Sequence, residues 1–114
     1  MKYTLDATNK TMGRLASNAA ALLMGKNQPT FNRNVASTNT VLITNASKLK
    51  VTAKKLLQKK YTSYSGYPGG LREQSMAHLV EKKGYREALT HAIKGMLPDN
   101  KLKKEFLKHL TVTE

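Results

Sequence analysis

Apolar side chains along this chain follow first one period and then another. Residues 2–7 (KYTLDA) alternate and run into Thr8, Asn9 and Lys10, which predicts a short strand closed by a turn. Behind Thr11, a candidate N-cap, Leu15, Ala19, Leu22 and Leu23 recur at helical spacing, and Gly25 stands where a left-handed residue ends a helix. Strand, turn and helix in that order open an α/β domain. Residues 26–39 (KNQPTFNRNVASTN) keep neither period and are rich in Asn, Ser and Thr, so they read as loop. The β-branched run TVLITN at 40–45 lacks polar alternation, the pattern of a central strand covered on both faces.

The second half is more polar. Residues 46–51 form a short helix or turn, and residues 52–60 (TAKKLLQKK) a helix capped by Thr52 with Leu56 and Leu57 facing inward. Residues 61–64 fit a third strand, ended by the glycines that follow. Two helices are expected at 75–83 and 85–94 with Gly84 as the break between them, then a turn at 95–100. A basic helix at 101–110 presents Leu102, Phe106, Leu107 and Leu110 at helical spacing, and residues 111–113 add a short edge strand. No internal repeat, low-complexity tract or linker divides the 114 residues, a length that suits one domain.

Charge changes the picture most. Twenty Lys and Arg against seven Asp and Glu give a formal +13, a field that calls for a polyanionic partner. A membrane binder would gather its cations on one amphipathic helix opposite Phe, Leu or Trp. Here they are spread over most of the chain among Gly, Pro, Tyr and Asn, which suits a folded body lying on RNA or DNA and no membrane. The longest apolar stretch, AAALLM at 19–24, is far short of the roughly 20 residues of a bilayer span, and no secretory or transit signal opens the sequence. The lack of cysteine excludes disulfides and thiolate metal sites and fits the cytosol.

Four stretches carry candidate chemistry. In YTSYSGYPGGLR, residues 61–72, Gly69 and Gly70 would let backbone approach a phosphate ribbon while Tyr64 and Tyr67 stack on bases and Arg72 adds charge. The plainer alternative is a tight turn with its rings packed, and a mixed role puts Tyr61 inward and Tyr64 or Tyr67 outward. Lys54, Lys55, Lys59 and Lys60 could hold phosphates or form only a solvated helix face. Lys94, Lys101, Lys103 and Lys104 surround the turn KGMLPDN, in which Pro98, Asp99 and Asn100 are ordinary turn and cap residues and Met96 and Leu97 ordinary core. Lys26 and Arg33 place two further cations in the loop after the first helix.

Catalysis finds little footing. His78, His91 and His109 lack the spacing of a helical metal pair, and the turn DATNKTMGRLA has neither dinucleotide-binding glycines nor a P-loop, so no metal or cofactor is expected and Asp6 and Arg14 read as a structural pair. A nucleotide-using enzyme on a doubly wound fold is the competing class, without a motif to support it.

DATNKTMGRLAS, TVLITNASKLKVTAKK, YTSYSGYPGGL and KGMLPDNKLKK, in that order and spacing, resemble the bacterial-type large-subunit ribosomal protein L13 family over residues 5–112. The resemblance implies a three-layer α/β/α domain with a mainly parallel four-stranded sheet. It implies a non-enzymatic constituent of the cytoplasmic ribosome that binds large-subunit rRNA, meets neighbouring large-subunit proteins and acts early in subunit assembly. Messenger RNA is a further partner of the same chemistry. By the same resemblance the RNA-facing positions are Lys26, Arg33, the lysines around Leu56 and Leu57, Tyr64, Tyr67, Gly69, Gly70, Arg72, Lys94, Lys101, Lys103 and Lys104. Departures are NVASTNT where the family often carries acidic and glycine residues, Lys103 where it usually has Gly, and shorter termini than its members usually show.

Overall fold

A computed structural model describes residues 2–114. The chain runs β1 (Lys2–Asp6), α1 (Met12–Met24), β2 (Thr40–Thr44), a 3-10 turn (Ala46–Lys48), α2 (Ala53–Gln58), β3 (Lys60–Tyr64), β4 (Leu71–Ser75), α3 (Met76–Met96), α4 (Leu102–Lys108) and β5 (Leu110–Val112). β1, β2 and β5 form a wholly parallel sheet in the order β1-β2-β5, with Leu5 beside Ile43 and Ile43 beside Val112. β3 and β4 pair only with each other, antiparallel, as a separate ribbon. The four-stranded sheet expected from the resemblance is therefore corrected to three parallel strands plus a two-stranded ribbon.

The layering is corrected as well. Val41, Ile43 and Val112 are buried on one face of the sheet, with Tyr3, Leu5 and Leu110 packed against the same core. Thr4, Leu42 and Thr111, which point the other way, are exposed. Helices thus cover one face, and TVLITN is not buried on both: Leu42 keeps 36% of its surface in water.

α1 forms where the spacing predicts it. Met12, Leu15, Ala16, Ala19, Ala20 and Leu23 make its buried stripe, and the three alanines keep that face low so that α3 can pack close with Ala88, Leu89 and Ile93. Gly25 ends the helix in the left-handed conformation, at φ 78°. Thr11 does not cap through its side chain but bridges to Lys50, whereas Thr52 caps α2 by accepting the Lys55 N–H at 3.3 Å. α2 has only six residues and buries none fully; Leu56 packs on the core, but Leu57 is 74% exposed, contrary to the inward reading. At the other end Leu97 joins the core while Met96 stays exposed, and β5 takes Leu110 from the expected helix.

Gly84 breaks α3 as expected, with φ 78° and ψ 175°, a region open essentially to glycine alone. The Glu114 carboxylate fills the space a Cβ would need there and accepts the Arg86 N–H at 3.0 Å, satisfying an orphan donor of the restarting helix. Gly84→Ala is expected to cost about 1–3 kcal/mol of stability through that backbone strain. Urea unfolding reads it directly; an unchanged midpoint would mean the break relaxes without cost.

Candidate nucleic-acid interface

The ribbon presents the tyrosine-rich stretch. Its tip is a turn in which the Gly70 N–H bonds the Tyr67 carbonyl at 3.0 Å, with Pro68 second and Gly69 third at φ 75°. Proline followed by a positive-φ glycine is the type II arrangement, and it explains why this segment could not be helical. The two glycines have different jobs. Open space surrounds Gly69 where a side chain would project, so backbone is accessible there, whereas a Cβ on Gly70 would press to 2.9 Å from the Tyr67 carbonyl. Gly70 therefore serves the turn.

Alternation along β3 separates the aromatic rings. Tyr61 packs on the core, edge-on to His91 at 4.8 Å between centroids, with the Lys59 ammonium 5.7 Å from its ring. Burial pushes its hydroxyl pKa up. Tyr64 and Tyr67 remain 64% and 74% exposed, and Tyr64 lies opposite the exposed Leu71. Arg72 pairs with Ser63 on the other face of the ribbon, where with His78, Lys82 and Glu87 it lines a cleft of about 380 Å³ toward α3. Tyr64 and Arg72 thus do not form one motif but address two sides of the ribbon.

α2 leads into the ribbon at Lys59 and Lys60, and the Met76 N–H bonds the Lys59 carbonyl at 2.8 Å. Lys54, Lys55 and Lys59 are exposed along a shallow groove, so the lysine cluster and the hairpin form one continuous basic region. Lys60 is exposed too, but Glu73 lies 3.6 Å away and offsets part of its charge. Lys55 and Lys59 also border a crevice with Met12, His91 and Met96, at the end of α3 that carries the exposed Lys94.

A second region joins Lys26 and Arg33 to the turn before α4. Asn39, fully buried, donates its amide to the Leu22 carbonyl at 3.0 Å and accepts from Gln28, tying the loop to α1. Thus held, Lys26, Phe31 and Arg33 line a cleft of about 370 Å³ with Pro98, Asn100 and Phe106. Lys101 and Lys104 are exposed just beyond it. Lys103 is not equivalent: it bonds Asp99 at 2.6 Å and its side chain is only 19% exposed. That bond is also what holds the Asp99 carboxyl below its usual range.

A basic cluster escaped the sequence reading because its members are split between two segments. The Asn9 N–H bonds the Lys48 carbonyl and the Lys50 N–H bonds the Lys10 carbonyl, each at 3.0 Å, bringing Lys10, Lys48 and Lys50 together in exposed positions. Asp6 stands beside them. Its Oδ1 accepts the Thr8 N–H at 3.0 Å, the Thr8 hydroxyl at 2.8 Å and the Asn45 amide at 3.1 Å, which lowers its pKa from 3.8 to about 2. The Thr8 backbone bond is the largest cause, and the partner is not Arg14 as the sequence suggested. Because the folded value lies below the unfolded one, the stabilisation from Asp6 is complete above pH 3.8 and lost as pH falls through about 2. A carboxyl ¹³C titration should show that midpoint; one near 3.8 would mean the turn is open in solution.

Among the described residues only three ion pairs form, Lys60–Glu73, Lys103–Asp99 and Lys108–Glu105, so most of the positive charge faces solvent uncompensated. No group of three His, Cys, Asp or Glu among them could hold a metal, and no helix among the described residues is long and apolar enough to cross a membrane.

The family model for ribosomal protein L13 matches residues 1–114. The large ribosomal subunit protein uL13 of Thermus thermophilus is 47% identical over 108 residues, covering 95% of this chain and 76% of that protein. Those of Citrifermentans bemidjiense and Syntrophomonas wolfei are 46% and 44% identical over 110 residues, covering 96% of this chain and 77% and 76% of theirs.

Proposed function

The chain belongs to the ribosomal protein L13 family, and from that premise we propose that it holds large-subunit rRNA through two basic regions, one on α2 and the ribbon, the other on the loop after α1 and the turn before α4. It is a structural constituent of the large ribosomal subunit, located in the ribosome, and not an enzyme. The observation that carries the binding mode is the excess of twenty Lys and Arg over seven Asp and Glu, with the basic side chains mostly exposed and three of them ion-paired among the described residues. Lysines and arginines neutralise phosphates of separate RNA segments, the Gly69 turn permits close backbone approach, and the shape of the folded RNA selects the site. Fixing several segments at once sets the relative positions of RNA helices, which is the contribution to subunit assembly.

The assigned contacts are Lys26, Arg33, Lys54, Lys55, Lys59, Lys60, Tyr64, Tyr67, Gly69, Arg72, Lys94, Lys101 and Lys104. Gly70 and Lys103 act through the turn and the Asp99 pair instead. Binding of a large-subunit rRNA transcript is to be compared with a length-matched unrelated structured RNA and a structured messenger RNA leader at one salt concentration. A clear preference for rRNA is expected; equal affinity for all three would reduce the interaction to generic charge attraction.

A further inference from the structure

We propose that the cleft between the loop after α1 and the turn before α4 receives a single unstacked RNA nucleotide, its base against Phe31 and its phosphates at Lys26 and Arg33. This rests on the RNA-binding reading above. The chain has two phenylalanines and both line this one cleft: Phe106, 4% exposed, within the core, and Phe31, left 40% exposed. Pro98 adds apolar surface, and no carboxylate lines the cleft. At about 370 Å³ it falls within the roughly 300–1,000 Å³ of small-ligand sites.

Its polar groups fit a nucleotide. Asn32 Oδ1 accepts the Asn34 N–H and Asn100 Oδ1 accepts the Leu102 N–H, both at 3.0 Å. Each amide is thereby oriented, and its NH₂ is kept as a donor for an outside acceptor such as a base carbonyl, a ring nitrogen or a ribose oxygen. Lys26 and Arg33 supply charge for the phosphates on either side. A flat group with apolar faces, acceptor edges and flanking anions matches every element of this lining; a bare phosphate would leave the phenylalanine face unused. The walls are also built before any ligand arrives. The Gln28 N–H bonds Gly25, the Phe31 N–H bonds Gln28 and the Asn100 N–H bonds Pro98, at 3.0, 3.1 and 3.0 Å. Extruded bases are the usual targets of RNA recognition, and an aromatic face is their usual platform.

The test has two arms on the intact chain. In the first, amide NMR follows titration with the four nucleoside 5′-monophosphates and, separately, inorganic phosphate. Nucleotides are expected to shift amides at 31–34 and 99–102 beyond the phosphate response, and Phe31→Ala to remove that excess. Identical shifts from nucleotide and phosphate would overturn the proposal. In the second, Phe31→Ala is expected to weaken rRNA binding about 5- to 150-fold, the value of one base stack, with the salt slope unchanged and Phe31→Tyr restoring affinity. Equal rRNA affinity for wild type and Phe31→Ala would sink the cleft assignment while leaving the ribosomal role intact. Loss of rRNA preference in the wild type would instead sink the rRNA reading, with the nucleotide titration still judging the cleft.

Discussion

Raising salt from about 50 to 200 mM is expected to weaken the complex with large-subunit rRNA roughly 10³- to 10⁵-fold, the response of about six to ten neutralised phosphates. The expectation follows from how the charge is distributed. Lysines on α2, on the loop after α1 and beyond the Pro98 turn are exposed, and only three ion pairs among the described residues compete for them. The slope of log affinity against log salt can also be divided among residues. Arg72→Ala should reduce it by about one unit if Arg72 meets a phosphate. Lys103→Ala should leave it unchanged, because Asp99 already holds that ammonium at 2.6 Å. A shallow slope in the wild type would show that shape and stacking, not charge, dominate the complex.

Truncating Tyr64 and Tyr67 together to alanine should weaken rRNA binding by about 30- to 10⁴-fold, taking about 1–3 kcal/mol for each stacked base. Both rings are more than half exposed, and neither belongs to the core that Tyr61 joins. Thermal unfolding should therefore change by less than about 0.5 kcal/mol, the usual range for surface substitutions. Affinity within a factor of two of wild type would return the tyrosines to the role of exposed turn residues. A matching loss of stability would show that they support the ribbon itself.

What the residue pattern disclosed depended on whether an element touches the core. α1, the Gly25 terminus and the Gly84 break were legible because burial imposes a period and positive φ imposes glycine, and β2 because its run is β-branched and apolar. β4 was not. Leu71, Arg72, Glu73, Gln74 and Ser75 include one apolar residue, and that one is exposed, so no buried apolar period marks a strand whose place is set by backbone pairing with β3. Leu57 and Leu42 misled for the converse reason: apolar character was read as burial, while short α2 and the one-sided sheet leave both in water. Charge and glycine content marked the interface in outline. The separation of Tyr64 from Arg72 and the gathering of Lys10, Lys48 and Lys50 arise from pairing between segments, which local composition does not encode, while Lys103 is restrained locally, by Asp99 four residues before it.

The parallel sheet closes across a long stretch of chain. Thr113 donates its hydroxyl to the Ile43 carbonyl 70 residues away, and the Val41 N–H bonds the His109 carbonyl. During synthesis from the N-terminus, β2 must wait with one flank bare until residues 110–112 have been made, whereas the ribbon finds all its strand partners within a single hairpin. An isolated ribbon is only marginally stable in water. We therefore expect hydrogen exchange on nascent chains halted before residue 110 to show ribbon amides protected when rRNA is present and exchanging freely when it is not; equal protection in both would refute that order. The hairpin would then be the part of the newborn protein that reaches RNA first, with the core completing itself behind an attachment already made.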